Sequence, residues 1–248
     1  MAADAALTKK VDFDRKIDYQ KFCVTKLHRI KELSAGISSH GIGLIGDTRL
    51  DLWLTDFITK NAGNHDSIRS FGVALAEELG KRSPPIKATL GFHLAGFEQS
   101  QDGGYPTAYR ILSEAADGKF NCRQMEPPHK YQKGARKTLR GGETAIFANA
   151  FDLLEKLLKS YAPIMGTPDN PMQIPFPDNL KMRAEYLRFQ ILVISDIYAL
   201  SNQVEWIDAP VTTLTISSDG SQEYLTCAAV PRKTPYSDLE LLGLPNER

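Results

Sequence analysis

The stretch from Leu139 to Asp219 constrains the fold most. It begins with the glycine-rich break Leu139-Arg140-Gly141-Gly142-Glu143. From Thr144 to Ser160, apolar residues fall at Ile146, Phe147, Ala150, Phe151, Leu154, Leu157 and Leu158, the spacing of a helix. A proline-rich segment, Pro163 to Pro177, separates this run from a second one with Leu180, Ala184, Leu187, Ile191, Ile194 and Tyr198 on one face, ending near Glu205. Pro210-Val211-Thr212-Thr213-Leu214-Thr215-Ile216 then reads as a strand closed by the turn Ser218-Asp219-Gly220. Two long helices, a strand and a hairpin turn are the second half of a layered α+β domain.

The preceding residues repeat that order. Ala2-Ala3-Asp4 looks like the end of a strand, and Lys9 to Lys21 reads as a loop or extended excursion. Phe22 to Ile30 is rich in strand formers and pairs with the run Ile42 to Ile45, with Lys31-Glu32 at or near the turn. A helix follows from Thr48, with Thr48 and Asp51 at capping-box spacing and Leu50, Leu54, Phe57 and Ile58 as its buried stripe. Asn61 to Asn64 breaks it. The next helix starts at Asp66 or Ser67 and turns Ile68, Phe71, Leu75 and Leu79 inward, with Gly80 at its C′ position. Ile86 to Glu98 is a strong strand, with Leu90, Phe92 and Leu94 on one face and Gly91, His93 and Ala95 on the other. Tyr109 to Leu112 pairs back, and Lys119 to Cys122 adds a further strand. Two packed sheets with a helical pair on each outer face satisfy this order.

Composition narrows the function classes. Thirty Lys and Arg balance thirty Asp and Glu, so no bulk charge draws the chain to nucleic acid or to an anionic membrane. No apolar run is long enough to span a bilayer and the N-terminus lacks a signal-peptide core, which points to the cytoplasm. Cys23, Cys122 and Cys227 have no metal-binding spacing, and no phosphate loop or dinucleotide fingerprint is present, so neither metal nor cofactor is expected. The 42% hydrophobic content suffices for a sizeable core, read as one domain over residues 1–230 with a polar extension over 231–248. His93 reads as a core histidine, and the cluster Lys130, Lys133, Arg136, Lys137 and Arg140 as a solvated loop face.

Several pieces, taken in order, resemble the proteasome-like N-terminal nucleophile (Ntn) hydrolases: proteasome subunits, the HslV-type peptidase and the Anbu-type relative. Ala2-Ala3-Asp4 is similar to the close of their first strand. Thr25-Lys26-Leu27-His28-Arg29-Ile30 resembles their basic strand, Gly46-Asp47-Thr48-Arg49 their approach to the first helix, and Leu90 to Glu98 their strand ending in Ala-Gly-Xaa-Asp/Glu. Gly141-Gly142-Glu143 sits where they have a Gly-Ser-Gly turn, and Ala209-Pro210-Val211 resembles their approach to the last strands.

The resemblance implies a four-layer αββα sandwich, a peptide substrate and a homo-oligomeric ring or helical assembly. It also implies a terminal Thr, Ser or Cys as nucleophile, activated by its own α-amino group. By the same resemblance Asp4 is the aspartate that orients a lysine, and that lysine is Lys26 or Lys21, depending on the register. Gly141 and Gly142 are the oxyanion turn. Glu143 departs from the family's serine, and no residue here matches the nucleophile, because Met1 falls where the first strand is already ending. Two expectations stand side by side: a peptidase whose natural chain starts upstream, or a non-catalytic subunit or self-assembling scaffold. An unrelated α+β enzyme is the third.

Overall fold

The computed structural model describes residues 1–4, 6–13, 16–81, 90–100, 103–113, 119–125, 179–200 and 211–227. Of the two long helical runs, only the second is described, and in part. The expected helix over 144–160, the glycine turn at Gly141 and Gly142, and the tail over 231–248 lie outside the described residues.

The largest sheet grows from two hairpins. Strands β4 (Leu27–Ile30) and β5 (Ala35–Gly41) are joined by a turn over 31–34, where Ser34 takes a left-handed backbone with φ 46° and its N–H donates to Lys31 O at 3.2 Å. The expected turn is thus found, but the partner strand is Ala35–Gly41 rather than Ile42 to Ile45. Those residues fall partly in β6 (Leu44–Ile45), which pairs with β7 (Thr48–Arg49). Strands β8 (Leu90–Ser100) and β9 (Gly103–Ser113) form the second hairpin, with Ser100 opposite Gly103. Strand β9 is longer than the Tyr109 to Leu112 segment alone indicated. Five antiparallel strands then run in the order β10 (Phe120–Gln124), β9, β8, β5, β4.

One face of this sheet carries the core. Helix α1 (Leu50–Asn61) buries Leu50, Leu54, Phe57 and Ile58, and helix α2 (Ile68–Gly80) buries Ile68, Phe71, Leu75 and Leu79. These meet Phe92, Leu94, Ile37, Tyr109 and Ile111 in one cluster. Each fully buried Leu, Ile or Phe contributes roughly 1.5–3 kcal/mol. Gly72 lets α2 lie close on the sheet, since a Cβ there would meet Cys122 Sγ at 2.8 Å and Leu94 Cδ2 at 3.1 Å. The capping box expected at Thr48 does not form: Arg49 is the N-cap and offers no side-chain cap. Ser67 does cap α2, accepting from Ser70 N at 3.1 Å. Gly80 is the last helical residue, followed by Lys81 in right-handed backbone, so its expected C′ role is not taken.

A second sheet has three strands in the order β1 (Ala2–Asp4), β11 (Val211–Ile216), β12 (Gln222–Cys227). The β1 pairing places Asp4 opposite Val211, and Leu214 N extends the ladder to Met1 O at 2.9 Å. Helix α3 (Leu180–Leu200) packs on β11 and β1. It buries Ala184 and Ile194 as its period predicts, whereas Leu180 stays 41% exposed. Of the two readings of Lys9 to Lys21, the extended excursion is found rather than the loop: β2 (Ala6–Phe13) and β3 (Lys16–Cys23) pair as antiparallel strands.

The two larger sheets touch through β11, which contacts β4 and β5. Gly36 makes this approach possible, because a Cβ there would collide with Leu214 Cδ2 and lie 3.0 Å from Met1 Sδ. Tyr224 OH donates to Leu27 O at 2.7 Å, and Gln222 Nε2 donates to Ile30 O at 3.4 Å. The molecule is mixed α+β with antiparallel sheets. No helix among the described residues is long and apolar enough to cross a membrane.

Candidate functional site

The Thr25-Lys26-Leu27-His28 segment is held at both faces of the start of β4. Thr25 N donates to Asp51 Oδ2 at 3.2 Å, and Lys26 O accepts from Ser39 N at 2.8 Å. His28 is buried and its Nε2 donates to Thr25 O at 3.0 Å, with Nδ1 3.4 Å from Thr55 Oγ1. A carbonyl can only accept, so this contact assigns the His28 proton to Nε2. Burial lowers the His28 pKa against the opposing Thr25 hydrogen bond and the Asp51 charge. Asp51 is in turn gripped by Arg49, with Nε at 3.0 Å from Oδ1 and a second guanidinium nitrogen at 2.6 Å from Oδ2. Burial pushes the Asp51 carboxyl up, but the Arg49 hydrogen bond, the Thr25 N–H and the Arg49 charge outweigh it, and the net shift is downward.

The turns define which residues share an end of the molecule. The β11–β12 turn is closed by Gly220 N donating to Ser217 O at 3.0 Å, and Gly220 sits at φ 82° against Ser34 of the β4–β5 turn; a Cβ would meet Ser34 Oγ at 2.8 Å. Both turns therefore lie at one end of the paired sheets. Asp4, opposite Val211, and Lys26, just before Leu27, lie at the far ends of β11 and β4. Lys26 is half-buried. Lys21 falls instead in the β2–β3 hairpin, opposite Thr8, and among the described residues that hairpin pairs with no other strand. Of the expected site residues, the fold thus puts Asp4 and Lys26 at one end and leaves Lys21 on a separate ribbon. Gly141 and Gly142 lie outside the described residues.

The same end carries residues that the sequence did not single out as a group. His40 on β5 is opposite Gly91 on β8, and His93 is opposite both Ser38 and Arg110. The His40 and His93 rings sit 5.5 Å apart, and a Cβ on Gly91 would lie 2.5 Å from the His40 ring. Burial, then the charges of His93, Arg110 and Lys26, bring the His40 pKa from 6.5 to about 4. His93 is lowered by burial and by Arg110. Both imidazoles are therefore neutral at pH 7. His93 is buried, as read from the sequence, with the cation Arg110 opposite it on β9.

Other candidates have structural roles. Glu98 accepts from Tyr105 OH at 3.0 Å, Tyr109 OH at 3.1 Å and Arg69 N at 3.2 Å, joining the start of α2 to the β8–β9 hairpin. Burial pushes the Cys122 thiol up to about 11, so it is not a thiolate at neutral pH. Among the described residues no cluster of three or more His, Cys, Asp or Glu could hold a metal.

Neither protein-family models nor curated proteins give a match to this chain. The site is thus defined by its own geometry. Period-two alternation alone could have placed His40 and Ser38 on one face of β5, and Gly91 and His93 on one face of β8. Bringing His40 and His93 together needed the β5–β8 register.

Proposed function

We propose that the chain is a proteasome-like Ntn-type peptidase homologue, an amide-bond hydrolase scaffold arranged as a four-layer αββα sandwich. The observation that supports this is the register that sets Asp4, opposite Val211, and Lys26, just before β4, toward the same end of the two antiparallel sheets that touch through β11. Helices α1 and α2 cover one sheet and α3 the other, in keeping with the layered order. In this reading Lys26, rather than Lys21, lowers the proton affinity of a terminal amine and Asp4 orients Lys26. Gly141 and Gly142 supply the oxyanion donors, and the substrate is a cytoplasmic peptide.

The chemistry needs a terminal Thr, Ser or Cys about a strand's length before Asp4, and residues 1–3, Met-Ala-Ala, supply none. The test therefore uses protein isolated from its natural source, with its N-terminus sequenced and fluorogenic peptides as substrates. Turnover that falls by about a hundredfold or more in Lys26→Ala and Asp4→Asn, with the fold retained, is expected. Residues 1–248 by themselves are expected to show none. Turnover by residues 1–248, or natural protein without such a terminus and without turnover, overturns the hydrolase reading.

The second reading is a non-catalytic subunit of a homo-oligomeric ring or helix. Its support is the exposed apolar surface of α1 and its neighbour β6, where Leu52 is 58% and Leu44 38% exposed. Light scattering of the parent and of Leu52→Asp tests it: a high-mass particle reduced to smaller species by the substitution supports assembly through this face.

A further inference from the structure

Three residues, Val24 to Lys26, link β3 to β4 and belong to neither strand. Apolar burial fixes both ends of the link, since Val24 is 9% and Leu27 0% exposed. Thr25 between them is exposed. At such a position water ordinarily meets the main-chain N–H and C=O. Here side chains take both. Asp51, in the first turn of α1, accepts from Thr25 N at 3.2 Å. His28 Nε2 donates to Thr25 O at 3.0 Å. The next carbonyl, Lys26 O, accepts from Ser39 N on β5 at 2.8 Å. Three successive peptide units are thereby fixed, and the last two flank the Lys26 Cα.

The two side chains that hold Thr25 are unusual ones to place there. Asp51 is 7% and His28 8% exposed. Taking a carboxylate out of water is unfavourable unless charge and hydrogen bonds meet it. Arg49 supplies both, with Nε 3.0 Å from Oδ1 and a second nitrogen 2.6 Å from Oδ2. Thr55 ties the two clamps together: its Oγ1 donates to Asp51 O at 2.8 Å and lies 3.4 Å from His28 Nδ1. A short link between strands closes without such groups. The residue that gains from them is Lys26, whose main chain follows directly on the clamped one. A lysine carries its ammonium on a flexible four-carbon stem, so the charge is placed only as well as the backbone beneath it.

We propose that Asp51 and His28 are positioning residues for Lys26: they hold the N–H and the C=O of Thr25, and so fix the main chain from which the Lys26 ammonium is directed. Neither touches the reacting atoms. The consequence for turnover rests on the hydrolase reading; the clamp itself does not.

The test begins with ¹⁵N relaxation of labelled residues 1–248. In the parent, the Thr25 and Lys26 amides are expected to be as ordered as those of β5, with order parameters of about 0.85. In Asp51→Ala, and separately in His28→Phe, both should fall below about 0.6 while the β5 and β8 amides stay unchanged. Asp51→Asn keeps an acceptor oxygen and should lie between Asp51→Ala and the parent. Ile58→Val removes one methyl from the buried face of α1 and none of the clamp hydrogen bonds, and should leave the link ordered. The proposal is overturned if Thr25 and Lys26 keep the parent's order in all three clamp variants, or if Ile58→Val loosens them as much. In the protein as its natural source makes it, Asp51→Ala should lower kcat for a fluorogenic peptide about tenfold or more with KM unchanged. It should lower kcat no further where Lys26→Ala is already present, because the two changes act through one group. A fall by the same factor in both backgrounds overturns the assignment to Lys26. Without turnover in the parent the hydrolase reading fails, while the relaxation result still upholds or overturns the clamp.

Discussion

Asp51 shows how much one side chain decides. Asparagine in its place keeps the shape but removes the charge that meets Arg49 and the Thr25 N–H. Asp51→Asn is expected to lower stability by about 1–3 kcal/mol in urea denaturation, the range for a buried polar group that loses its partner. Its carboxyl is held below the ordinary range in the fold. The stabilisation is therefore fully present above the unfolded pKa and is lost as pH falls through the lower folded value. His40 acts in the same direction for a different reason. Burial first, then His93, Arg110 and Lys26, lower its pKa from 6.5 to about 4, so between these values the unfolded chain binds the extra proton. Stability should fall as pH drops from 6.5 towards 4, by on the order of 3 kcal/mol at most from this group. In His40→Gln, urea midpoints measured across that range should show a flatter slope; a slope identical to the parent's would refute the assignment.

At the scale of elements, the two helices of the first pair start differently. The amide groups of a first helical turn have no partners within the helix. In α2, Ser67 Oγ accepts from Ser70 N and Glu98 Oε1 from Arg69 N, so two of these donors are met, one of them by a carboxylate favoured at that end of a helix. Ser67→Ala should cost about 1 kcal/mol, read as a shift in the denaturation midpoint. An equal loss on adding Glu98→Gln would show that the two caps act separately. In α1 the N-cap residue Arg49 makes no side-chain cap, and Asp51, in the first turn, is held by Arg49 and the Thr25 N–H. The capping-box spacing at Thr48 was legible in the sequence, but Arg49 and the Thr25 N–H, 26 residues away in the chain, compete for that carboxylate.

At the scale of the whole molecule, the approach of the two sheets rests on Gly36 against Leu214 and on Gly220 against Ser34. Gly36→Val should force β11 away from β5 and destabilise the chain by about 1–3 kcal/mol, the usual cost of overpacking. Because Leu214 is fully buried, the damage should appear as loss of the β1–β11–β12 amides in hydrogen exchange before those of β8 and β9. Simultaneous loss in both sheets would mean that they unfold as one unit.

The sequence by itself determined the local elements. Period 3.6 marked the buried faces of α1 and α2, period 2 separated Phe92 and Leu94 from Gly91 and His93, Asp66 or Ser67 marked the start of α2, and Gly220 marked a turn. These signals need only neighbours within a few residues, because helix and strand repeats are local geometry. Tertiary structure alone decided what depends on register and on the meeting of sheets. It made β5 the partner of β4, turned Lys9 to Lys21 into a hairpin, and left Leu180 exposed although it kept the helical period. It also separated Lys26 from Lys21, which composition could not do, and set Lys26 at the same end as Asp4. The His40 and His93 pair arose in the same way. Two histidines in separate strands are ordinary polar residues until hydrogen-bond register lays those strands side by side, and register is a contest among pairings that no single segment contains.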